Sequence, residues 1–203
     1  MLLGASGSGK GSVGAALLER GVIAAHASMG AWLREISRHP ATLEPDLAAL
    51  QPEGFASPLE YLLHCVTNGL LIPDAWTQAV IERHLHTRSE QAPNGLWALD
   101  GYPRTVGAAR HLIEALERTA TPLLGAVHLC VSDSVAMQRL LTRGRADDST
   151  TAILERLEFY RHSVVPTLDW LKTQGVAVVE ISGEDCLALV VEAVEGALER
   201  WKL

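Results

Sequence analysis

Long apolar runs are missing from this sequence. No window approaches the ~18 apolar residues of a membrane span, and the apolar opening Met1-Leu2-Leu3 is too short for a signal peptide. Positive charge is also scarce: 17 Lys and Arg stand against 24 Asp and Glu, a formal net charge of −7. That balance argues against a nucleic-acid surface. Cysteine is sparse, and Cys65, Cys130 and Cys186 lie far apart with no metal-ligand spacing. They read as buried, small apolar residues in a reducing compartment. Internal repeats and low-complexity tracts are lacking as well. These absences leave a soluble, cytosolic protein, and 203 residues suit one α/β domain with room for a substantial core.

What is present begins at once. Gly4-Ala-Ser-Gly7-Ser8-Gly9-Lys10-Gly11-Ser12 follows the apolar stub and opens an amphipathic run to Arg20. Gly-x-x-x-x-Gly-Lys between a strand and a helix is the phosphate-cradling P-loop. Its glycines let successive N–H groups point inward at phosphate oxygens. Lys10 adds a point charge, and the helix that follows adds the positive end of its dipole. The hydroxyl expected directly after the lysine comes one residue later, at Ser12, behind Gly11. The stub is short for a buried central strand, which usually runs about 5–6 residues. Either the true start lies upstream or this strand is unusually short.

The remainder alternates in a βα rhythm. Apolar stretches at 22–27, 95–99, 123–131 and 176–181 predict strands after the first, and helices are expected at 28–38, 58–68, 73–88, 105–118, 132–143 and 185–201. A further long helix is expected over 149–174, with Pro166 inside it to kink or break it. Strands and helices in this order imply a five-stranded parallel sheet with helices on both faces, a three-layer sandwich. Residues 39–58 hold Pro40, Pro45, Pro52 and Pro58 and read as a surface insertion.

Two further signals carry chemistry. Asp100-Gly101-Tyr102-Pro103-Arg104 closes the third strand, at the sheet end where ligands of parallel sheets bind. Asp100 suits a magnesium ion or its waters, since a hard cation takes oxygen ligands, and Arg104 can fork onto a phosphate. Arg139, Arg143 and Arg145 crowd one helix end, Asp147 and Asp148 follow, and Arg156 sits on the next helix. A charge run is usually a solvated face, and Glu155 or Glu158 could pair with some of these arginines. Phosphoryl transfer, however, needs several cations around the migrating group.

Over essentially its full length the chain resembles the adenylate kinase-like nucleoside monophosphate kinases. The resemblance rests on the P-loop, on Ser28-Met-Gly-Ala-Trp-Leu-Arg34, on Gly69-Leu-Leu-Ile-Pro-Asp74, on Asp100-Gly-Tyr-Pro-Arg-Thr105, and on Arg139 through Arg156. It implies transfer of the ATP γ-phosphoryl group to a nucleoside monophosphate, most simply AMP, by a monomer with Mg2+. It assigns Gly4, Gly7, Ser8, Gly9, Lys10, Gly11, Ser12 and Arg139 to ATP, with Arg139 against the donor base. Arg34 and Arg104 would grip the acceptor phosphate, with Met29, Gly101 and Ala108 beside the acceptor. Arg143, Arg145 and Arg156, together with Lys10 and Arg104, would surround the transferring group. Asp100 would organise magnesium, through water. An acceptor lobe over about 28–72 and a minimal lid over about 143–149 are implied within one kinase domain.

Several positions depart from the family pattern. The lid is too short for the zinc-binding form, and the acceptor lobe is lengthened by 39–58. Ala108 stands where the family has the glutamine that reads adenine, Met29 where it has threonine, and Ala31 where it has aspartate. An acceptor pocket with fewer hydrogen-bonding groups discriminates less sharply. That leaves open UMP, CMP or a deoxynucleotide as acceptor, another small-molecule P-loop kinase, or a non-catalytic ATP-binding regulator.

Overall fold

The first strand is three residues long and central. In a computed structural model, which describes residues 1–39, 53–68, 70–91, 95–145 and 148–201, β1 is Leu2–Gly4 and the other strands flank it. These are β2 (Ala25–Ser28), β3 (Trp97–Asp100), β4 (Ala126–Cys130) and β5 (Val178–Ser182). All pairs are parallel, in the order β2-β3-β1-β4-β5. From β1 the chain goes to edge strand β2, returns to β3 beside β1, and then crosses to β4 and β5 on the other side. The switch between those directions puts a crevice at the carboxyl ends of β1, β3 and β4.

Helices close both faces. Leu2 and its neighbours Val127 and Leu129 pack under α1 (Lys10–Glu19) and the last helix, α9 (Leu187–Trp201). Leu3, one residue on, faces the opposite way, as strand alternation requires, and packs with Ala109 of α5 (Val106–Arg118) and Leu168 and Leu171 of α8 (Val165–Thr173). Full burial of a leucine is worth roughly 1.5–3 kcal/mol, so this short strand is held firmly on both sides. At its start the Met1 ammonium donates to the Gly125 carbonyl at 2.8 Å, and burial lowers its pKa to about 5.

A separate apolar cluster unites α2 (Met29–Arg38), α3 (Pro58–Asn68) and α4 (Asp74–Gln91) with the Tyr102 turn and α5. The prolines at 40, 45 and 52, with Gly69 and Asp147, lie outside the described residues. The expected break near Pro166 is present in another form. α7 (Thr150–Phe159) passes into a π-helical turn at Tyr160–Val164, and Pro166 follows it at the start of α8, so the helix runs on through a widened turn instead of breaking at the proline. The expected burial of all three cysteines holds for one of them. Cys65 is buried, whereas Cys130 is half-buried on β4 and Cys186, just ahead of α9, is exposed. No helix among the described residues is long and apolar enough to cross a membrane.

One packing contact ties α1 to β2. A Cβ added to Gly14 would fall 2.4–2.6 Å from three atoms of the His26 ring, so the helix seats against that ring only because position 14 is glycine. Gly14→Ala gains about 1 kcal/mol of helix propensity but overpacks the contact, a cost of about 1–3 kcal/mol. A net loss of up to about 2 kcal/mol is expected in urea unfolding; a midpoint raised by the full helix-propensity gain would refute the contact.

Candidate active site

The P-loop turns sharply because neighbouring backbone leaves it no choice. Gly4 has φ +146° and a Cβ there would meet the Leu129 carbonyl at 2.4 Å, while Gly7 has φ +84° and would meet the Ala136 carbonyl at 2.7 Å. Only glycine fits both the conformation and the space. The loop so folded presents its own carbonyls to the lysine. Lys10 Nζ donates to Gly4 O at 2.9 Å, Ala5 O at 2.7 Å and Ser8 Oγ at 3.3 Å. Burial lowers the Lys10 pKa to about 8, against the raising effect of Asp100.

Around this loop lies a cavity of about 900 Å3. Gly7, Gly9, Lys10, Gly11 and Ser12 form its floor at the start of α1. Gly4 and Ser8 stand behind that floor: Ser8 is buried and gives its hydroxyl to Lys10, and Gly4 gives its carbonyl. Asp100, at the end of β3, is buried. Burial alone would raise its carboxyl, but His26, Lys10 and Arg104 beside it hold it below the usual carboxylate range. A Cβ on Gly11 would lie 3.8 Å from Asp100 Oδ2, so the carboxylate faces the P-loop helix.

The turn after β3 is built to aim one cation. Gly101 adopts φ +75°, and Arg104 Nε donates back to the Gly101 carbonyl at 2.9 Å. Burial depresses the Arg104 guanidinium, and Asp100 works against that. Thr105 caps α5 by accepting from the Ala108 N–H at 3.0 Å, and its hydroxyl donates to Asp74 Oδ2 at 2.6 Å. This fastens the first turn of α4 to the turn carrying Arg104. Tyr102 is fully buried and its hydroxyl donates to the Ala108 carbonyl at 3.0 Å. A buried hydroxyl with a partner avoids the desolvation cost of an orphan.

The wall towards α2 and α5 contains Met29, Arg34, Gly101 and Ala108. Met29 and Ala108 are buried and offer no side-chain hydrogen bond. The far wall is cationic. Arg139 and Arg143, four apart on α6 (Asp133–Arg143), line the cavity with Arg145 and Arg156. Arg139 Nη1 donates to the Gly183 carbonyl at 2.7 Å, beyond β5. Arg143 forks onto Asp148 through Nε at 2.9 Å and Nη2 at 2.7 Å, and Arg156 Nη2 reaches the same carboxylate at 3.1 Å. The Arg145 N–H adds a bond at 3.3 Å. Burial would raise Asp148; these donors outweigh it and hold the group charged. Glu158, which by sequence could have paired with this series, pairs with Arg161 and His162.

Sequence reasoning passed over His26. Its buried Nε2 lies 3.5 Å from Asp100 Oδ2 and has no hydrogen-bond partner among the described residues. The signal was a lone polar ring in the small-residue strand Ala25–Ser28.

Comparison with known proteins agrees with this architecture. A family model described as adenylate kinase matches residues 2–176. Over 199 residues the chain is 31% identical to an adenylate kinase of Prochlorococcus marinus (strain MIT 9211), spanning 98% of this chain and 95% of that one. Adenylate kinase 1 of Nostoc sp. (strain PCC 7120) is 34% identical over 198 residues, 98% of this chain and 97% of its own. An adenylate kinase of Prochlorococcus marinus (strain MIT 9313) is 36% identical over 142 residues, 68% and 75% of the two chains. The sheet, the P-loop and these matches together make this chain a member of the adenylate kinase family.

Proposed function

We propose that the protein transfers the γ-phosphoryl group of ATP to AMP, giving two ADP, with the residues of the single P-loop cavity in the roles their positions support. The protein is an ATP-dependent nucleoside monophosphate kinase, a phosphotransferase. The observation that carries the residue assignment is the grouping of Lys10, Arg34, Arg104, Arg139, Arg143, Arg145 and Arg156 around one cavity of a chain with net charge −7. A concave cationic surface inside an anionic shell suits two phosphate-bearing ligands.

In this reading Lys10 and the P-loop N–H groups hold the triphosphate, and Arg139 lies along the donor base. Arg34 and Arg104 take the acceptor phosphate. Arg143, Arg145 and Arg156 close over the transferring group, which moves in line with no covalent enzyme intermediate. Asp100 and Ser12 fit a magnesium ion: one buried, ionised carboxylate facing the P-loop and one hydroxyl leave room for water and phosphate oxygens. Such an ion would neutralise charge on the β- and γ-phosphates. The stretch 28–72 serves as acceptor lobe and 143–149 as lid, excluding water on closure. We take the protein to act as a cytosolic monomer; its three cysteines are all unpaired.

A panel of AMP, dAMP, GMP, UMP and CMP with ATP and magnesium tests the reading. AMP is expected to be used best, with a narrower margin over the pyrimidines than a pocket of hydrogen-bonding side chains would give, because Met29 and Ala108 read no base edge. Faster use of another acceptor would overturn the AMP assignment. Failure to phosphorylate any would overturn the catalytic one. Within the site, Arg104→Ala should raise KM for AMP at least about tenfold, the loss of a charge-assisted contact, and change KM for ATP far less. Equal effects on both substrates would remove Arg104 from the acceptor side.

A further inference from the structure

Outside the nucleotide cavity, the sheet gathers three metal-binding side chains. His128 and Cys130 stand two apart on β4 and so share a face, and Glu180 is the β5 residue in register with His128. Topology thus brings together an imidazole, a thiol and a carboxylate that are 52 positions apart at the extremes of the set. One ligand atom from each lies within 4.8 Å of the others. His128 Nδ1 is 3.4 Å from Cys130 Sγ and 3.7 Å from Glu180 Oε1. A tetrahedral ion with a metal–sulfur bond of about 2.3 Å and a metal–nitrogen bond of about 2.0–2.1 Å holds sulfur and nitrogen about 3.5 Å apart.

The surroundings suit the same chemistry. The sulfur also lies 3.8 Å from Nε2, so loading turns the ring about its soft terminal torsion to aim Nδ1 at the common point. Tyr160 Oη, 2.6 Å from Nε2, can receive the proton of that nitrogen, the kind of outer partner a ligating histidine uses. The ring is buried, Cys130 half-buried and Glu180 exposed. The group therefore opens on one side only, next to a recess of about 360 Å3 that Cys130 and Glu180 help to line. Lys172 Nζ shares Glu180 Oε1 at 3.5 Å but is equally close to Asp169 Oδ1, so it can release the carboxylate.

We propose that His128, Cys130 and Glu180 bind one zinc-class divalent transition-metal ion, with water at the fourth position, and that the ion ties edge strand β5 to β4. Mixed thiolate, imidazole and carboxylate ligation favours Zn2+ or Co2+ over the hard Mg2+.

The test is titration of the intact, reduced chain with Co2+. One equivalent should produce a thiolate-to-cobalt charge-transfer absorption with the strong visible bands of four-coordination, and Zn2+ should displace it. Cys130→Ser should abolish the charge-transfer absorption, Cys186→Ser should leave it, and Glu180→Gln should weaken binding at least about tenfold. An absent absorption, or one that survives Cys130→Ser, overturns the site. Should Cys130→Ser fail to fold, X-ray absorption at the zinc edge of the unmutated protein decides. One sulfur among nitrogen and oxygen neighbours sustains the proposal, and none ends it.

Discussion

Lys10→Ala is expected to lower kcat by about 10²–10³, the cost of removing one preorganised charge donor from a transferring group. The ammonium is held by two P-loop carbonyls and the Ser8 hydroxyl. Its three N–H donors are thus all engaged close to the loop, and phosphate has to displace at least one of these contacts, the longest being that to Ser8 Oγ at 3.3 Å. The loop itself is shaped by Gly4 and Gly7 against β4 and α6, so circular dichroism and the unfolding midpoint should change little. A folded variant that keeps more than a tenth of wild-type turnover would take Lys10 out of the transfer.

The same lysine gives the enzyme an alkaline limb. Its pKa in the free protein is lowered to about 8, and bound phosphate, being anionic, must raise it. Below pH 8 the ammonium is charged before and after binding, and affinity for ATP is flat with pH. Above pH 8 the free protein has lost the proton and must take it up on binding. The logarithm of kcat/KM for ATP should then fall by about one per pH unit. Lys10→Ala should remove that limb; its persistence would assign it to another group.

Motif-bearing strand ends were the most legible part of this chain. Gly4 to Ser12 and Asp100 to Arg104 each couple a short apolar run to residues that only a carboxyl-end turn would need, so the sheet and its crevice followed from the pattern. The partner of the arginine series was not legible. Asp148, Glu155 and Glu158 all lay within reach in sequence, and the meeting of Asp148 with Arg143 and Arg156 depends on where Ser149 caps α7, accepting from the Ala152 N–H at 3.2 Å. His128, Cys130 and Glu180 were invisible for a related reason. Their meeting requires the β4–β5 register, which no local spacing encodes. Cys130 and Cys186 were misjudged because free cysteine is usually buried, and that tendency says nothing of a sheet edge or a helix entrance.

Arg156→Ala is expected to cost about 10²–10³ in kcat with only a few-fold change in KM for either nucleotide, the pattern of a contact made chiefly in the transition state. Asp148 determines how such arginines are presented. Arg143 spends Nε and Nη2 on it, which in the proposed role leaves Nη1 to meet phosphate, since a guanidinium carries five N–H donors in a fixed fork. Arg156 is turned towards the cavity by the same carboxylate and by the Ala152 carbonyl at 3.1 Å. Asp148→Asn should therefore slow transfer about tenfold or more through loss of aim, although Asp148 would touch no nucleotide. If Asp148 acts by aiming Arg156, the second substitution costs less once the first is made. The cycle of Asp148→Asn, Arg156→Ala and the double variant should then show coupling of about 1 kcal/mol or more in the activation free energy. Strict additivity would mean that the carboxylate serves the fold of the 143–149 turn and not the arginines. A faster Asp148→Asn enzyme would mean that it competes with phosphate for them.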